Sequence, residues 1–318
     1  MNQPTISCAA RLSLALVALL ACLGALVVAP SGAHAAFPGL DGRIAYAGSV
    51  GSENGLGIFT ILPDGSQRQR LTPNTYLDED PSWSANGQTL VFSRTSTGST
   101  YEIITMAADG SRQTTVAKIR GETPSPSFSP SGNRIVFTDG YKIFSVRAKG
   151  GKRRMLLSAT RSGPGISQPR YSPDGKLITF AGVPRGNASN HGIWTMRSNG
   201  RRLKRITKGE TDADPDFKPS GNRILYRHGD RIRIMRLDGS RVGTPHGIPA
   251  DSFGAVFSPS GRSIAAERAI FIETTAWCSD LFTIGTTASE PVFLTDNCQQ
   301  SFPRGKVVSP SWQPVTVP

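Results

Sequence analysis

Carboxylate side chains recur at matching places in this sequence, and they are the residues best suited to do chemistry. Asp78 and Asp80 stand shortly before a tryptophan, and Asp212 and Asp214 stand in the same way before a phenylalanine. Clustered carboxylates can form a shared ligand site, bind Ca²⁺ together with carbonyl oxygens, or act as acid and base on a glycan. Aspartates before a strand can instead accept backbone N–H bonds and brace neighbouring elements. The candidate binding residues are Asp78, Asp80, Glu122, Asp212, Asp214, Asp251 and the aromatic Trp277.

Sequence motifs of the common catalytic classes are missing. The chain has no Gly-x-Ser-x-Gly elbow, no His-Glu-x-x-His pair and no phosphate-binding Gly-x-x-x-x-Gly-Lys-Ser/Thr loop. His191, His228 and His246 have no spacing suited to a metal pair, and no Asp-x-Asp-x-Asp-Gly calcium loop is present. The sequence therefore predicts no catalytic residue, no cofactor and no metal ligands. A glycan-active enzyme that uses the clustered acids is the alternative, and a bound Ca²⁺ stays open.

The N-terminal segment reads as an export signal. Arg11 is the single base of the segment, residues 12–29 are almost wholly apolar, and Ala33-His34-Ala35 offers small residues to a signal peptidase. We expect a signal peptide over residues 1–35, and a protein that is periplasmic or extracellular. An uncleaved anchor and lipidation at Cys22 are the alternatives. The remaining residues, 36–318, are predicted to form one domain.

An internal repeat predicts the architecture of this domain. An aromatic residue, a polar residue, Pro or Ala, another polar residue and Gly recur with a period of about 40 to 45 residues, each time before an apolar strand. That period is typical of a four-stranded propeller blade. The leading aromatic residues are Trp83, Phe128, Tyr171, Phe217 and Phe257.

The two ends of the repeat array complete each other. The first unit begins at a second strand, Arg43-Ile44-Ala45-Tyr46, and the chain closes with a first strand around Trp312. Together they make one blade, so that first strands number six. The prediction is an all-β, six-bladed β-propeller of four-stranded antiparallel blades, with a ring closed by strands from both termini. Such closure leaves no exposed sheet edge.

Two cysteines remain after the signal segment, and their positions predict a disulfide. In the sixth blade the third strand is expected to start near Asp280 and the fourth to end near Thr295, with a turn near Glu290. Cys278 and Cys298 would then face each other across the hairpin. A protein exported to an oxidising compartment can keep such a bond, and nothing here resembles a redox-active Cys-x-x-Cys motif.

These units resemble the WD-like β-propeller repeat of the TolB family. The resemblance rests on Asp78-Glu79-Asp80-Pro81-Ser82-Trp83-Ser84 and on Asp212-Ala213-Asp214-Pro215-Asp216-Phe217, each followed by Gly and an apolar strand. It implies a periplasmic propeller that binds a peptidoglycan-associated lipoprotein at the mouth of its channel. The α/β domain that precedes the propeller in TolB is absent from this sequence, which puts a role in a Tol–Pal system in question. Fold is expected to carry over more securely than function.

The predicted topology turns sequence position into surface position. Links into first strands and the loops between second and third strands lie on one face, which we call the top face; it carries the acids. Its longest loops are Gly48–Gly57, Ala181–His191 and Glu267–Trp277, where Trp277 could anchor a partner or cover the blade. The turns after third strands lie on the bottom face and are basic: Arg68, Arg70, Arg112, Lys149, Lys152, Arg153, Arg154, Arg201, Arg202, Lys204, Arg205 and Arg241.

The charge distribution also bounds the partners. With 36 Lys and Arg against 23 Asp and Glu, the chain has a formal net charge of +13, which favours anionic surfaces. We predict a monomeric binding module for an envelope protein or an anionic cell-wall polymer, with peripheral membrane contact as a further option. Nucleic acid is disfavoured because few aromatic residues are interleaved with the bases. The basic face can also serve solubility alone.

Overall fold

The protein was studied as a computed structural model that describes residues 37–49, 55–159, 165–186, 188–273, 276–287, 290–298 and 307–316. The predicted signal peptide, with its alternatives of an anchor and of lipidation at Cys22, lies outside the described residues. Apart from one 3₁₀ turn at Ala188–Asn190, the regular structure in the described ranges consists of β-strands. None of the described segments forms a helix with the length and apolar character needed to cross a bilayer.

Six antiparallel sheets follow one another around a ring, which confirms the six-bladed β-propeller. Blades 1 to 3 consist of β1 (Leu40–Gly48), β2 (Gly57–Ile61), β3 (Gln69–Arg70), β4 (Leu77–Trp83), β5 (Thr89–Thr95), β6 (Thr100–Ala107), β7 (Thr114–Arg120), β8 (Ser127–Phe128), β9 (Arg134–Thr138), β10 (Lys142–Arg147) and β11 (Arg154–Ser158). Blades 4 to 6 consist of β12 (Ile166–Tyr171), β13 (Leu177–Gly182), β14 (Gly192–Arg197), β15 (Lys204–Arg205), β16 (Asp212–Phe217), β17 (Arg223–His228), β18 (Arg231–Arg236), β19 (Ser252–Phe257), β20 (Ser263–Glu273), β21 (Ala276–Gly285) and β22 (Val292–Phe293).

The ring closes as the sequence predicts. The last strand, β23 (Val307–Val315), pairs antiparallel with β1 and supplies the innermost strand of blade 1. In that pairing Ile44 lies opposite Trp312. The Trp312 side chain is 7% exposed, and its indole N–H donates to the carbonyl oxygen of Gly42 at 3.1 Å. Both ends of the domain are thereby held in one sheet.

Blade 5 departs from the predicted four strands. It contains β16, β17 and β18, and its fourth-strand position is reduced to a single bridge between Ile234 and Gly243. Pro245 and Pro249 follow in the sequence and have no N–H to donate, which prevents a longer ladder. The other five blades have four strands each.

Blade 6 differs in another way. The predicted top-face loop Glu267–Trp277 is wrong as a loop, because β20 and β21 continue to Glu273 and from Ala276 and form one long hairpin. A run of apolar and β-branched residues in this segment favours extended strands. In the other two predicted loops, residues 50–54 and 187 lie outside the described ranges.

The repeated turns order the start of the second strands, and in blades 3, 4 and 6 they have the sequence Ser-Pro-x-Gly. In blade 4 the Ser172 hydroxyl donates to Asp174 at 2.6 Å and accepts from the Leu177 N–H at 2.9 Å. Gly175 has a φ of 68°, a left-handed conformation that glycine adopts without a steric penalty. The aromatic residue before each turn is buried in the core: Trp83, Phe128, Tyr171, Phe217, Phe257 and Trp312.

The predicted disulfide is confirmed. Cys278 in β21 is bonded to Cys298, which lies beyond β22, with a Cα–Cα distance of 5.5 Å. The third strand starts slightly earlier than expected, at Ala276 rather than near Asp280, and the fourth is only two residues long. The disulfide therefore anchors the segment that follows β22, the outer strand of blade 6, which has few ladder hydrogen bonds of its own.

Removing this disulfide is expected to destabilise the domain. The bond closes a loop with a sequence separation of 20 residues, and the chain-entropy model gives about 3 kcal/mol for a loop of that size. We expect Cys278→Ser combined with Cys298→Ser to lower the free energy of unfolding by that amount in urea titrations. Reductant should reproduce the loss in the wild type and leave the double variant unchanged. Equal midpoints for wild type and double variant would contradict this expectation.

Candidate functional site

Six residues at equivalent places line the channel in a left-handed backbone conformation. Each lies three positions before the buried aromatic residue of its blade, and their φ angles range from 46° to 57°. The inner strands contain bulges at this point, for example between Glu79 and Ser82, and a bulge redirects a side chain away from its sheet face. Because the conformation recurs in every blade, it belongs to the fold. We call these residues the channel ring: Asp80, Ser125, Gln168, Asp214, Gly254 and Ser309.

The two aspartates of the channel ring sit in opposite blades, 2 and 5, and each is held from both sides. Asp80 accepts hydrogen bonds from the hydroxyls of Ser309 at 2.6 Å and Ser125 at 2.9 Å. Asp214 accepts from the Gln168 amide, and its own N–H donates back to Gln168 at 2.9 Å. These bonds fix the carboxylates where the channel opens toward the top face.

Two blades place a charged side chain where the other four have a small one. On the second strand, opposite the residue before the channel ring, the small residues are Ala47, Ser93, Thr138 and Ala181, and all four are buried. Blades 5 and 6 carry Arg227, opposite Ala213, and Glu267, opposite Phe253. Arg227 donates to Asp214 at 2.9 Å and lies 5.1 Å from the Phe253 ring centroid. This departure from the repeat marks one side of the mouth as specialised.

Burial and neighbouring acids raise the pKa values of two glutamates at the mouth. Burial, followed by the charges of Asp214 and Asp80, raises the pKa of Glu267 to about 8, against the opposing effect of Arg227. Burial and the neighbouring Asp80 and Asp78 raise the pKa of Glu79 to about 7. Carboxyl groups therefore outnumber guanidinium groups at the mouth, and a cation placed there would favour the ionised form of these glutamates.

The cavities along the channel are small. At the level of Asp80 and Asp214 the cavity has a volume of about 30 Å³. Below it a cavity of about 50 Å³ is lined by Arg170, Asp216 and Phe37. Phe37 is 7% exposed and joins the core cluster. A ligand of this channel would bind at its mouth.

Other predicted site residues serve the blades themselves. Asp78 is fully buried and accepts two hydrogen bonds from Arg94, at 2.6 and 2.7 Å. Asp212 is 1% exposed and contacts His228 Nδ1 at 2.6 Å and the N–H of Gly209 at 3.0 Å. Both aspartates therefore brace elements of their own blades, which is the structural role that the sequence left open for them.

The remaining predicted residues stay apart from the ring. Glu122 and Asp251 are exposed on links between blades. Asp251 has a φ of 59°, and its N–H donates to the Asp230 carbonyl at 3.2 Å. The backbone of Trp277 pairs with Phe271 in the long hairpin of blade 6, and its side chain lies outside the described part. Of the predicted site residues, Asp80 and Asp214 thus lie in the channel ring, and the sequence did not single out Gln168, Arg227 or Glu267.

The predicted basic residues of the turns after third strands are exposed, except Arg205, which is half-buried. Within the described ranges, no three His, Cys, Asp or Glu side chains are grouped so as to hold a metal ion. The polar chemistry of the mouth therefore consists of carboxyl groups, the guanidinium groups of Arg227 and Arg170, and hydrogen-bonding amides and hydroxyls.

The fold is a six-bladed β-propeller, and TolB proteins are among the known proteins that it resembles. No family model matches the sequence. Among curated proteins, the Tol-Pal system protein TolB of Francisella tularensis is 25% identical over an alignment that covers 50% of this chain and 48% of the relative. The chain thus spans about half the length of the curated relatives it matches.

Solved structures agree on the fold. TolB from Acinetobacter baumannii superposes with a TM-score of 0.69 and 21% identity, covering 86% of this chain and 67% of that one. A chain of a nidogen/laminin complex gives a TM-score of 0.64 at 11% identity, over 86% and 99% of the two chains. An oligogalacturonate lyase in complex with manganese gives 0.52 at 12% identity, over 81% and 74%. At these identities the likeness concerns the fold alone.

Proposed function

We propose that this chain is an exported binding module that receives a basic segment of an envelope protein at the acidic mouth of its propeller channel, without catalysis. The observation that carries the proposal is the mouth itself: two aspartates on opposite blades, with Glu267 and Glu79 beside them. These four carboxyl groups outnumber the two guanidinium groups beside them, those of Arg227 and Arg170, so a lysine or arginine side chain would find several acceptors.

Two further findings support this reading. The sequence similarity to a protein of the Tol-Pal system favours a protein partner in the cell envelope. The apolar segment 12–29 and Ala33-His34-Ala35 favour export to the periplasm or the cell surface, with residues 36–318 as the exported domain. A closed ring with both ends paired in blade 1 favours a monomer.

Neutralising the channel ring tests the proposal. We expect Asp80→Asn together with Asp214→Asn to weaken binding of a trilysine peptide about tenfold or more, because hydrogen bonds to charged groups are lost. Asp109→Asn is the matched control, since Asp109 is exposed in a bottom-face turn and the change removes the same kind of charge. Binding would be followed by calorimetry at low salt, alongside capture of envelope proteins from extract.

Three outcomes would count against the proposal. Unchanged trilysine affinity in the ring variant would exclude the mouth as the binding site. An equal loss in Asp109→Asn would show that net charge alone matters. Turnover of a plant or wall polysaccharide that disappears in Asp80→Asn would replace the binding function by glycan cleavage, an activity for which the lyase propeller offers a structural precedent.

A further inference from the structure

A second polar site lies at the bottom face, in the seam between blades 3 and 4. In a four-stranded antiparallel blade, the turn after the first strand and the turn after the third strand are at the same end. A cavity of about 550 Å³ opens there between the turn Ser129–Ser131 of blade 3 and residues 198–199 of blade 4. It is far larger than either cavity in the channel and lies at the end of the disc away from the acidic mouth.

The blade 3 wall of this seam presents an arginine that is already oriented. Arg134 Nε donates to the Ser145 hydroxyl at 2.7 Å, and Ser145 is 1% exposed. The Ser145 oxygen lies 3.5 Å from the hydroxyl of Tyr171, which belongs to blade 4 and is 4% exposed. Burial raises the pKa of Tyr171, so its hydroxyl keeps the proton that it can donate. Guanidinium and phenol thus converge from two blades.

Positive charge in the seam is not balanced by its walls. Neither Arg134 nor Arg154, which sits opposite Ser145 on the next strand, forms an ion pair with any described carboxylate. Asp174 is the one acid on the lining. Its carboxylate accepts from Ser172 at 2.6 Å and lies 3.5 Å from the Lys176 ammonium, so its own charge is engaged at the rim.

The internal repeat shows that the fold does not require these residues. The position of Arg134 is occupied by Thr89 in blade 2, Leu177 in blade 4 and Ser263 in blade 6. Arginine recurs in blade 1, where Thr60 and Gln67 bind its guanidinium group, and in blade 5, where it lies opposite Arg236 and lines a cavity with the apolar Ile234. Tyr171 is the one tyrosine among the six first-strand aromatic residues. Arginine occupies this position in three of the six blades, and only the arginine of blade 3 meets a first-strand tyrosine in the next blade.

We propose that the seam between blades 3 and 4 binds a phosphate group through Arg134, Arg154 and Tyr171. The number of hydrogen-bond donors favours phosphate over a carboxylate. The seam offers two guanidinium groups, a phenol and the Asn199 amide, which are more donors than the two oxygens of a carboxylate can accept. Guanidinium groups bind phosphate oxygens in pairs, which gives geometric selectivity as well as attraction. The site is independent of the acidic mouth, and either can fail without the other.

The test uses inorganic phosphate as the probe, with the full chain and chloride at matched ionic strength as the reference. We expect saturable phosphate binding by calorimetry or by NMR shifts. Arg134→Gln and Arg154→Gln are each expected to weaken it about tenfold. Arg153→Gln is the matched control: Arg153 is the chain neighbour of Arg154, but it stacks on Phe144 with 4.9 Å to the ring centroid, outside the seam lining. The control should change affinity less than about twofold.

Each result decides the proposal. Non-saturable binding, equal weakening by Arg153→Gln, or acetate that binds as tightly as phosphate would overturn it. If Arg134→Gln melts well below wild type, the exposed Arg154 carries the test. Glycerol phosphate and phosphatidylglycerol vesicles then identify the source of the group. Binding of glycerol phosphate alone assigns a soluble ligand, and binding of vesicles as well assigns a lipid headgroup; failure of both would contradict a phosphate-ester ligand.

Discussion

Replacing Trp312 with alanine is expected to lower the free energy of unfolding by about 3–5 kcal/mol, the range found when a buried tryptophan is truncated. The side chain is 7% exposed and packs in the cluster that joins blades 1 and 6, which includes Tyr46, Phe59 and Leu281. The change also leaves the Gly42 carbonyl without the indole donor at 3.1 Å. Because Trp312 lies in the closing strand, its loss weakens the seam where the ring is joined. Urea titration followed by tryptophan fluorescence and circular dichroism measures the effect.

The matched control is Trp312→Phe. Phenylalanine stands at the equivalent place in three other blades, at Phe128, Phe217 and Phe257, so the site accepts its shape. We expect this variant to lose about 1–2 kcal/mol, mainly through the missing hydrogen bond. If the free energy of unfolding of the alanine variant lies within about 1 kcal/mol of the wild-type value, Trp312 does not stabilise the closure of the ring.

Stability is expected to fall as the pH rises from about 5 to about 9, with Glu267 as a major cause. The carboxyl group titrates near 4.5 in an unconstrained chain, and its pKa is raised to about 8 in the fold by burial and by Asp214 and Asp80. Between these values the folded protein retains a proton that the unfolded chain has released. The stabilisation is therefore complete below the unfolded pKa and is lost as the pH passes the folded one. With partial solvent screening we expect a loss of about 3 kcal/mol.

Glu267→Gln separates this contribution from the others. Glu79 and Asp216, whose pKa values burial raises to about 7 and about 6, act in the same direction, so wild type alone gives a combined slope. The glutamine variant should lose a large part of the decrease in unfolding free energy with pH, and it should be more stable than the wild type at pH 9. Glu122→Gln, at an exposed link, should leave the slope as it is. A Glu267→Gln slope equal to that of wild type would refute the assignment.

The fold could be predicted from sequence because its information is local and repeated. Each Ser-Pro-x-Gly turn sets the start of a second strand, and the unit recurs often enough that the two incomplete ends can be matched. The missing strand of blade 5 could be suspected only from Pro245 and Pro249, and the long hairpin of blade 6 only from the apolar run that precedes Trp277. Each feature occurs in one blade only, so it is not part of the repeated sequence pattern from which the fold is predicted.

The candidate site was predictable only in part, for a physical reason. Asp80 and Asp214 were found because they lie within the repeated motif itself. Arg227 and Glu267 lie on second strands, where alternation places them near the channel only once the bulge and register of the first strand are known. A signal did exist: aligning the second strands shows two long charged side chains against Ala47, Ser93, Thr138 and Ala181. Asp78 and Asp212 look the same as the ring acids in sequence, and only burial distinguishes them.

The pairing of β23 with β1 has a consequence for the order of events during synthesis. Blade 1 draws its second, third and fourth strands from the first part of the domain and its innermost strand from residues 307–315, which are made after every other strand of the ring. Until those residues are available, β1 presents an unpaired edge next to blade 2, and the five other blades cannot be sealed into a ring. Contacts so distant in sequence form slowly. Until β23 has been synthesised, the open edge of β1 can therefore pair with the edge strand of another copy of the chain.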